Sequence, residues 1–495
     1  MAKHLLAIDQ GTTGSTALVV SLEGETLGRH NQEFPQHFPE PGWVEHDARE
    51  IWASVEAAVS GALAAAKVRG DDVAAIGITN QRETTLLWDR RTKEPIARAV
   101  VWQDRRTAEE CDRLKAEGRA DFIRERTGLV LDAYFSGTKI AWLLDHVQGA
   151  RERAEAGEIA FGTIDSYLVS RLTAGAEHVT DATNASRTLL MDLARCAWDP
   201  ELLALFRVPE RVLPRITGSA EVIATTRGAG IVPDGIPIAG IAGDQQAALF
   251  GQACFREGDA KCTYGTGAFA LMNVGAKPVP SAHGLVTTVA WKIGDETTYA
   301  LEGSAFIAGA AVQWLRDGLG IVKSSSEIEA LARSVSSSLG VAFVPALAGL
   351  GAPYWDQGAR GIVTGITRGT TAAHLARATL EGIAFEVWDL LRAMCLDAGR
   401  PIARLRVDGG AAKNDLLMQF QADIAAVAVE RPRDVESTGR GAAMLAAVGA
   451  GLAKPEDAAR LIQEDRSFAP AMTDAARAEH LARWSDAVRR ALGGS

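Results

Sequence analysis

The sequence predicts an α/β fold made of two copies of one domain type, with a ligand cleft between them. Strand-like and helix-like segments alternate along most of the chain, the pattern of α/β proteins. A strand, a Gly/Thr turn and a returning strand open the chain around Ile8-Asp9-Gln10-Gly11-Thr12-Thr13-Gly14-Ser15. The same device returns at Ala260-Lys-Cys-Thr-Tyr-Gly-Thr-Gly-Ala-Phe-Ala-Leu-Met-Asn273, which marks a duplication. At 495 residues the chain also outgrows a single hydrophobic core. The restart places the boundary near residue 252, with domains over 1–252 and 253–495.

Taken in order, His4 to Ile8, Ser15 to Leu22 and Thr26 to Phe34 read as three short strands joined by Gly-Thr-Thr-Gly and Glu-Gly-Glu turns, a β-meander. Asp47 can cap a helix whose Ile51, Val55, Ala58 and Ala62 share one face, and Val73 to Thr79 reads as the next strand. Ile236 to Ile241 is a strand that reaches Gly243-Asp244 and turns directly into a helix. Gly309 falls inside a helix expected to begin near Ser304, where glycine costs about 1 kcal/mol against alanine unless a close approach requires it. Lys323 to Leu339, rich in serine, reads as an exposed loop entering a helix. Val407-Asp-Gly-Gly-Ala-Ala-Lys-Asn414 ends a further strand with paired glycines before a helix, a turn that admits a flat ligand.

Composition excludes several function classes. With 47% hydrophobic and 23% charged residues the chain is an ordinary globular protein. Lys and Arg total 52 against 62 Asp and Glu, and the net charge of −10 gives no field that would attract nucleic acid or an anionic membrane. An anionic ligand therefore needs a local site. The apolar run Leu5 to Ile8 before Asp9 is too short for a signal-peptide core or a membrane span. Cys111, Cys196, Cys254, Cys262 and Cys395 are scattered without C-x-x-C spacing, which argues against a disulfide framework and a zinc site and points to the cytoplasm.

The first turn places the Asp9 carboxylate at a strand end beside exposed backbone N–H groups and hydroxyls, an arrangement that can cradle a phosphate and face its magnesium, or simply close a hairpin. Its second copy, Tyr264-Gly265-Thr266-Gly267, favours the phosphate reading. No Gly-Lys dipeptide occurs, so G-x-x-x-x-G-K-[ST] is excluded, and H-R-D and D-F-G are absent as well. Two phosphate-type turns followed by a late Asp-Gly-Gly turn resemble the actin-like ATPase superfamily, whose two domains are ribonuclease H-like.

Longer strings narrow the resemblance. Gly42-Trp-Val-Glu-His-Asp47, Gly77-Ile-Thr-Asn-Gln-Arg-Glu-Thr-Thr85, Val101-Trp-Gln-Asp-Arg-Arg106, Gly243-Asp-Gln-Gln-Ala-Ala248 and Gly349-Leu-Gly-Ala-Pro-Tyr-Trp355 resemble those of the FGGY family of carbohydrate kinases, and within it the members that phosphorylate glycerol. The resemblance implies an enzyme that uses ATP and Mg²⁺ to make sn-glycerol 3-phosphate, working in the cytoplasm as a homodimer or homotetramer without nucleic-acid or membrane partners. A sibling kinase of another polyol or ketose, and an actin-like nucleotide switch with no phosphoryl acceptor, are the rival readings.

A triol asks for donors beside carboxylate acceptors with apolar walls for its carbons, and Arg82, Glu83, Asp244 and Gln245 supply the polar functions. The resemblance implies that Arg82 and Glu83 bind two hydroxyls, that Tyr134 and Gln245 complete the polar ring, and that Trp102 and Phe269 line the apolar side. It assigns the nucleotide to Thr12, Thr13 and Gly14 on one side and to Thr266, Gly309, Gln313, Gly410 and Asn414 on the other, with Asp9 holding the magnesium through water. Asp244 is the expected general base, because a primary alcohol is barely ionised at neutral pH. The plainer readings are a solvated pair for Arg82-Glu83 and a helix cap for Asp244.

The chain departs from its relatives in three places. Gly14-Ser15-Thr16 stands where many members carry Ser-Ser-Arg, so a hydroxyl and a positive charge are missing near the expected phosphates. Arg227-Gly-Ala-Gly-Ile-Val-Pro-Asp-Gly235 lacks the basic loop through which some members bind fructose 1,6-bisphosphate. No histidine lies between His178 and His283, where others are activated through a phosphohistidine.

Overall fold

The structure is a computed structural model describing residues 3–356, 358–434, 436–460 and 464–493. Two mixed sheets organise it. In the first, β1 (His4–Gln10), β2 (Gly14–Ser21) and β3 (Thr26–Glu33) form the antiparallel meander, joined by β4 (Val73–Asn80), β5 (Ala220–Thr225) and β6 (Pro237–Gly243) in the order β5-β6-β4-β1-β2-β3. Strands β1, β4 and β6 run parallel, so their carboxyl ends share one edge.

The second sheet holds β7 (Asp259–Tyr264), β8 (Ala268–Gly275), β9 (Val286–Ile293), β10 (Glu296–Ala305), β11 (Arg404–Asp408), β12 (Val429–Pro432) and β13 (Glu464–Phe468), in the order β9-β10-β8-β7-β11-β12-β13. Here β7, β11 and β12 are the parallel strands. Each sheet thus runs from antiparallel strands through parallel neighbours to an antiparallel edge, with three antiparallel strands opening the first and four, in the order β9-β10-β8-β7, opening the second. The two turns match as well: Gly11 N–H donates to the Gly14 carbonyl at 2.9 Å, and Gly265 N–H to the Gly267 carbonyl at 2.9 Å.

Helix α1 (Ala48–Ala66) starts where expected, with the Asp47 carboxylate accepting from Arg49 N–H at 2.8 Å, and it buries Ile51, Val55, Ala58 and Ala62 against Leu6 and Ile8. Helix α2 (Asp244–Gly251) follows β6 without a loop. Helix α3 (Gly309–Asp317) begins at Gly309; Ser304 belongs to β10, so the expected helix start near Ser304 is corrected. The strand ladder with β8 extends through Ala305 and keeps the segment extended. Helix α4 (Asp415–Ala425) follows the Asp-Gly-Gly turn, and Glu327–Arg333 is helical within the serine-rich stretch.

Helix α5 (Ser437–Gly449), late in the chain, returns to the first sheet and packs on β1, β4, β6 and α2. Its approach to α2 is so close that a Cβ on Gly441 would lie 1.8 Å from the Ala247 carbonyl oxygen. Lys261, Leu271 and Glu302 are ladder partners across β7, β8 and β10, so they share one face of the second sheet. Leu271 packs with Ala247, Leu249 and Phe250 of α2, which turns that face toward the first half of the chain. Among the described residues no helix is long and apolar enough to cross a membrane.

Candidate active site

The carboxyl ends of β1, β4 and β6 deliver Asp9, the segment after Asn80, and Asp244 to one edge, the place where open α/β sheets bind ligands. Gln81 joins the edge to the first turn. Its N–H donates to the Gln10 carbonyl at 2.7 Å, and its side-chain amide donates to Gln10 Oε1 at 3.0 Å and to the Gly11 carbonyl at 3.2 Å. Next along the chain, Glu83 adopts a left-handed φ of 61°, held by Ser136 and Thr85 hydroxyls that donate to its carbonyl at 2.9 and 3.0 Å. A non-glycine residue in that conformation is strained by roughly 1–3 kcal/mol, and such strain concentrates at functional sites.

Arg82 and Glu83 are buried rather than solvated, at 3% and 1% relative exposure, so the surface-pair reading fails. Arg82 donates to Glu302 at 2.6 and 2.9 Å and to Gln246 Oε1 at 3.2 Å, and its Nε lies 3.1 Å from Asp244 Oδ1. Arg187, also buried, donates from Nε to Glu83 Oε1 at 2.6 Å and from Nη2 to Glu302 Oε1 at 3.0 Å. Its guanidinium stands over the Tyr134 and Phe135 rings at 5.7 and 5.2 Å. Burial by itself would raise the Glu302 carboxyl; the guanidiniums of Arg187 and Arg82, with Lys261, outweigh it and hold the group down at about 2. Glu83 goes the other way, because burial raises it by more than Arg187 and Arg82 lower it.

Asp244 is the first residue of α2 and not its cap; Gly243 takes the capping position, and the Asp244 carboxylate accepts from Gln245 N–H at 2.7 Å. Its side chain is about one-third exposed, unlike Arg82 and Glu83, so it can meet a ligand. Gln245 is held from the second sheet: the buried ammonium of Lys261 donates to Gln245 Oε1 and, at 2.9 Å, to Thr263 Oγ1. Phe269 is the ladder partner of Thr263 and stands on the same face. Trp102 donates from its indole N–H to Thr12 Oγ1 at 3.0 Å and meets the Tyr134 ring edge-on at 5.7 Å. The motif strings around it interlock, with Val44 N–H donating to Asp104 at 2.6 Å and Arg106 lying 3.7 Å over Trp43.

Asp9 stands at the end of β1 within the field of Asp244 and Glu436. Burial first, then those two carboxylates, push it up to about 8 against the opposing Arg29. A divalent cation beside Asp9 would relieve the repulsion that raises its carboxyl. Among the described residues no cluster of three or more metal-ligating side chains exists. Asp9, at the end of β1 beside the first turn, offers the kind of carboxylate that Mg²⁺ takes along with waters and substrate phosphates.

The second turn forms one end of a cavity of about 460 Å³, a size suited to a small-molecule cofactor. Thr266, Gly309, Gln313, Gly410 and Asn414 all line it, whereas Thr12, Thr13 and Gly14 lie outside it at the first turn. Gly309 N–H donates to the Gly265 carbonyl at 2.9 Å and Ala310 N–H to the Thr266 carbonyl at 3.1 Å, so α3 docks its first turn onto the phosphate-type loop. A Cβ on Gly309 would lie 2.6 Å from the Gly265 oxygen, which supplies the close approach the sequence called for. Asn414 caps α4 by accepting from Leu417 N–H at 3.0 Å.

Sequence reasoning missed Arg187, Glu302 and Lys261. Their signal was a charge set among apolar strand residues, as in Tyr299-Ala-Leu-Glu302 and Ala260-Lys261-Cys262, and a single arginine after Asn184-Ala-Ser.

Comparison with known proteins agrees with this architecture. The family model for the N-terminal domain of the FGGY family of carbohydrate kinases matches residues 4–251, and that for the C-terminal domain matches 260–450. A glycerol kinase of Myxococcus xanthus is 59% identical over 493 residues, covering 99% of both chains, and one of Geobacillus kaustophilus is 54% identical with the same coverage. A crystal structure of Plasmodium falciparum glycerol kinase with ADP superposes with a TM-score of 0.93 at 37% identity, covering 99% of this chain and 98% of the other. A gluconate kinase of Lactobacillus acidophilus shares the fold at 23% identity and a TM-score of 0.89. Two matched family domains in order, with full-length relatives above half identity, establish that this chain belongs to the FGGY family of carbohydrate kinases.

Proposed function

We propose that this chain transfers the γ-phosphoryl group of ATP to glycerol, giving sn-glycerol 3-phosphate and ADP. The observation that carries the chemistry is the one-third exposed Asp244 carboxylate, held by Arg82 at the strand edge that Gln81 links to the first phosphate-type turn. The similarity to glycerol kinases at 54–59% identity supports glycerol as the acceptor.

Glu83 Oε1 is engaged by Arg187, which leaves Oε2 to accept from an acceptor hydroxyl. Tyr134 and Gln245 add hydrogen-bonding groups, while Trp102 and Phe269 wall the carbon chain. Asp244 orients the reacting hydroxyl and accepts its proton as the bond to phosphorus forms. Thr12, Thr13 and Gly14 border the transferred phosphoryl group; Thr266, Gly309, Gln313, Gly410 and Asn414 hold the rest of the nucleotide. Asp9 would hold Mg²⁺, and the charge neutralisation that the ion would supply is directed at the phosphate oxygens. The five free cysteines suit a reducing cytoplasm, where MgATP is abundant.

A coupled assay of ADP release with and without glycerol tests the reading, with sorbitol, xylulose and dihydroxyacetone as competing acceptors. ADP release that requires glycerol and exceeds that with the other acceptors is expected. Equal release with and without glycerol would overturn it in favour of a nucleotide switch.

A further inference from the structure

We propose that Glu302 is the positioning residue through which the second sheet sets the acceptor site, an inference that rests on the glycerol-kinase reading above. Glu302 lies on β10, in the half of the chain opposite to Arg82, Glu83, Arg187 and Asp244. It is 3% exposed, and both its oxygens are bound: Arg82 reaches them at 2.9 and 2.6 Å, and Arg187 reaches Oε1 at 3.0 Å. One carboxylate therefore bridges two buried guanidiniums at once and fixes the plane of each.

What the two arginines do next follows from that fixation. Arg82, held from its Nη side, presents Nε to Asp244 at 3.1 Å. Arg187, held at Nη2, spends Nε on Glu83 Oε1 at 2.6 Å, and its Nη1 has no hydrogen-bond partner among the described residues. Glu83 is thereby held in one orientation through Oε1. Remove the charge of Glu302, and the nearest remaining carboxylate is Asp244 for Arg82, at 3.1 Å, and Glu83 for Arg187, at 2.6 Å. Both guanidiniums then lose their shared anchor, so Arg82 no longer holds Asp244, and Arg187 no longer holds Glu83, in the orientation that meets the hydroxyl. The nucleotide cavity is lined by none of these residues, so it is untouched.

Calorimetric binding of glycerol and of ADP to the full-length Glu302→Gln variant tests this. Glutamine keeps the shape and removes the charge. The glycerol Kd should rise at least tenfold while the ADP Kd stays within about twofold. A role in stability alone would lower the fraction of competent protein for both ligands and leave both Kd values unchanged; that result, or a parallel rise in both, overturns the proposal. If Glu302→Gln does not fold, Arg187→Lys, which retains the charge but cannot reach Glu83 and Glu302 together, must show the same split. Wild-type protein measured alongside separates the two readings. If it binds no glycerol, the substrate assignment fails, and the polyol it does phosphorylate becomes the probe for the same comparison.

Discussion

Arg82 Nε lies 3.1 Å from Asp244 Oδ1, so the guanidinium that faces the acceptor site also fixes the proposed base. The contact joins the ends of β4 and β6, and it is sheltered, with the Arg82 side chain 2% exposed. Arg82→Ala removes more than a substrate contact. It leaves Glu302 with Arg187 alone and frees Asp244, and breaking a buried ion pair costs about 3–5 kcal/mol. The expected outcome is a loss of stability near the low end of that range, read by urea denaturation, together with a raised glycerol Kd. A variant with wild-type stability would show that the network is not cooperative.

The state of Asp9 makes stability depend on pH. Its carboxyl is raised from 3.8 to about 8 by burial and by the charges of Asp244 and Glu436. Between those values the folded chain holds a proton that the unfolded chain has lost, so the contribution of this group to stability falls as pH rises through the window. Nucleotide-free, cation-free protein should therefore lose stability from about pH 5 to pH 8 more steeply than Asp9→Asn. Binding of a divalent cation displaces the proton, and calorimetry in buffers of different ionisation enthalpy should detect its release at pH 7. Parallel pH profiles for the two proteins would contradict this.

Gly309→Ala tests the second turn. The added Cβ would lie 2.6 Å from the Gly265 oxygen, so either the loop or the start of α3 must move. ADP affinity should fall by about tenfold, corresponding to about 1.4 kcal/mol, with glycerol affinity unchanged. Unchanged ADP binding would place the nucleotide elsewhere.

Fructose 1,6-bisphosphate at millimolar level should leave the rate and the oligomeric state unchanged. The segment from Arg227 to Gly235 offers one guanidinium, and its Gly228 N–H is already taken by Asp234 at 2.7 Å. A ligand with several negative charges finds few matching donors there. Rate assays and light scattering read the outcome; strong inhibition would reveal another binding surface.

The parts of this molecule legible in its sequence were those encoded locally. The meander, the Asp47 cap and both Gly/Thr turns depend on neighbours within a few residues, and the structure forms them at the expected positions. The end of strand β10 was read instead as a helix start, because its extension through Ser304 is set by a ladder to β8 and not by local propensity. The charge network was hidden for the same reason. Nothing near Arg82 in the chain announces Glu302, which lies 220 residues away, or the second arginine that shares it. A buried charge is visible in a sequence as an anomaly, but its partner is set by the packing of two sheets.

The central claim is that Asp244 takes the proton of glycerol during transfer, and the Asp244→Asn variant measures it most directly. Asparagine keeps the shape and a hydrogen-bonding oxygen beside Arg82 but cannot accept the proton. Under saturating glycerol and MgATP, kcat should fall by roughly 10²- to 10⁴-fold, the range for losing a general base, while the glycerol Kd from calorimetry changes much less. A variant that keeps near wild-type kcat would contradict the account and leave Asp244 as a residue that only anchors Arg82.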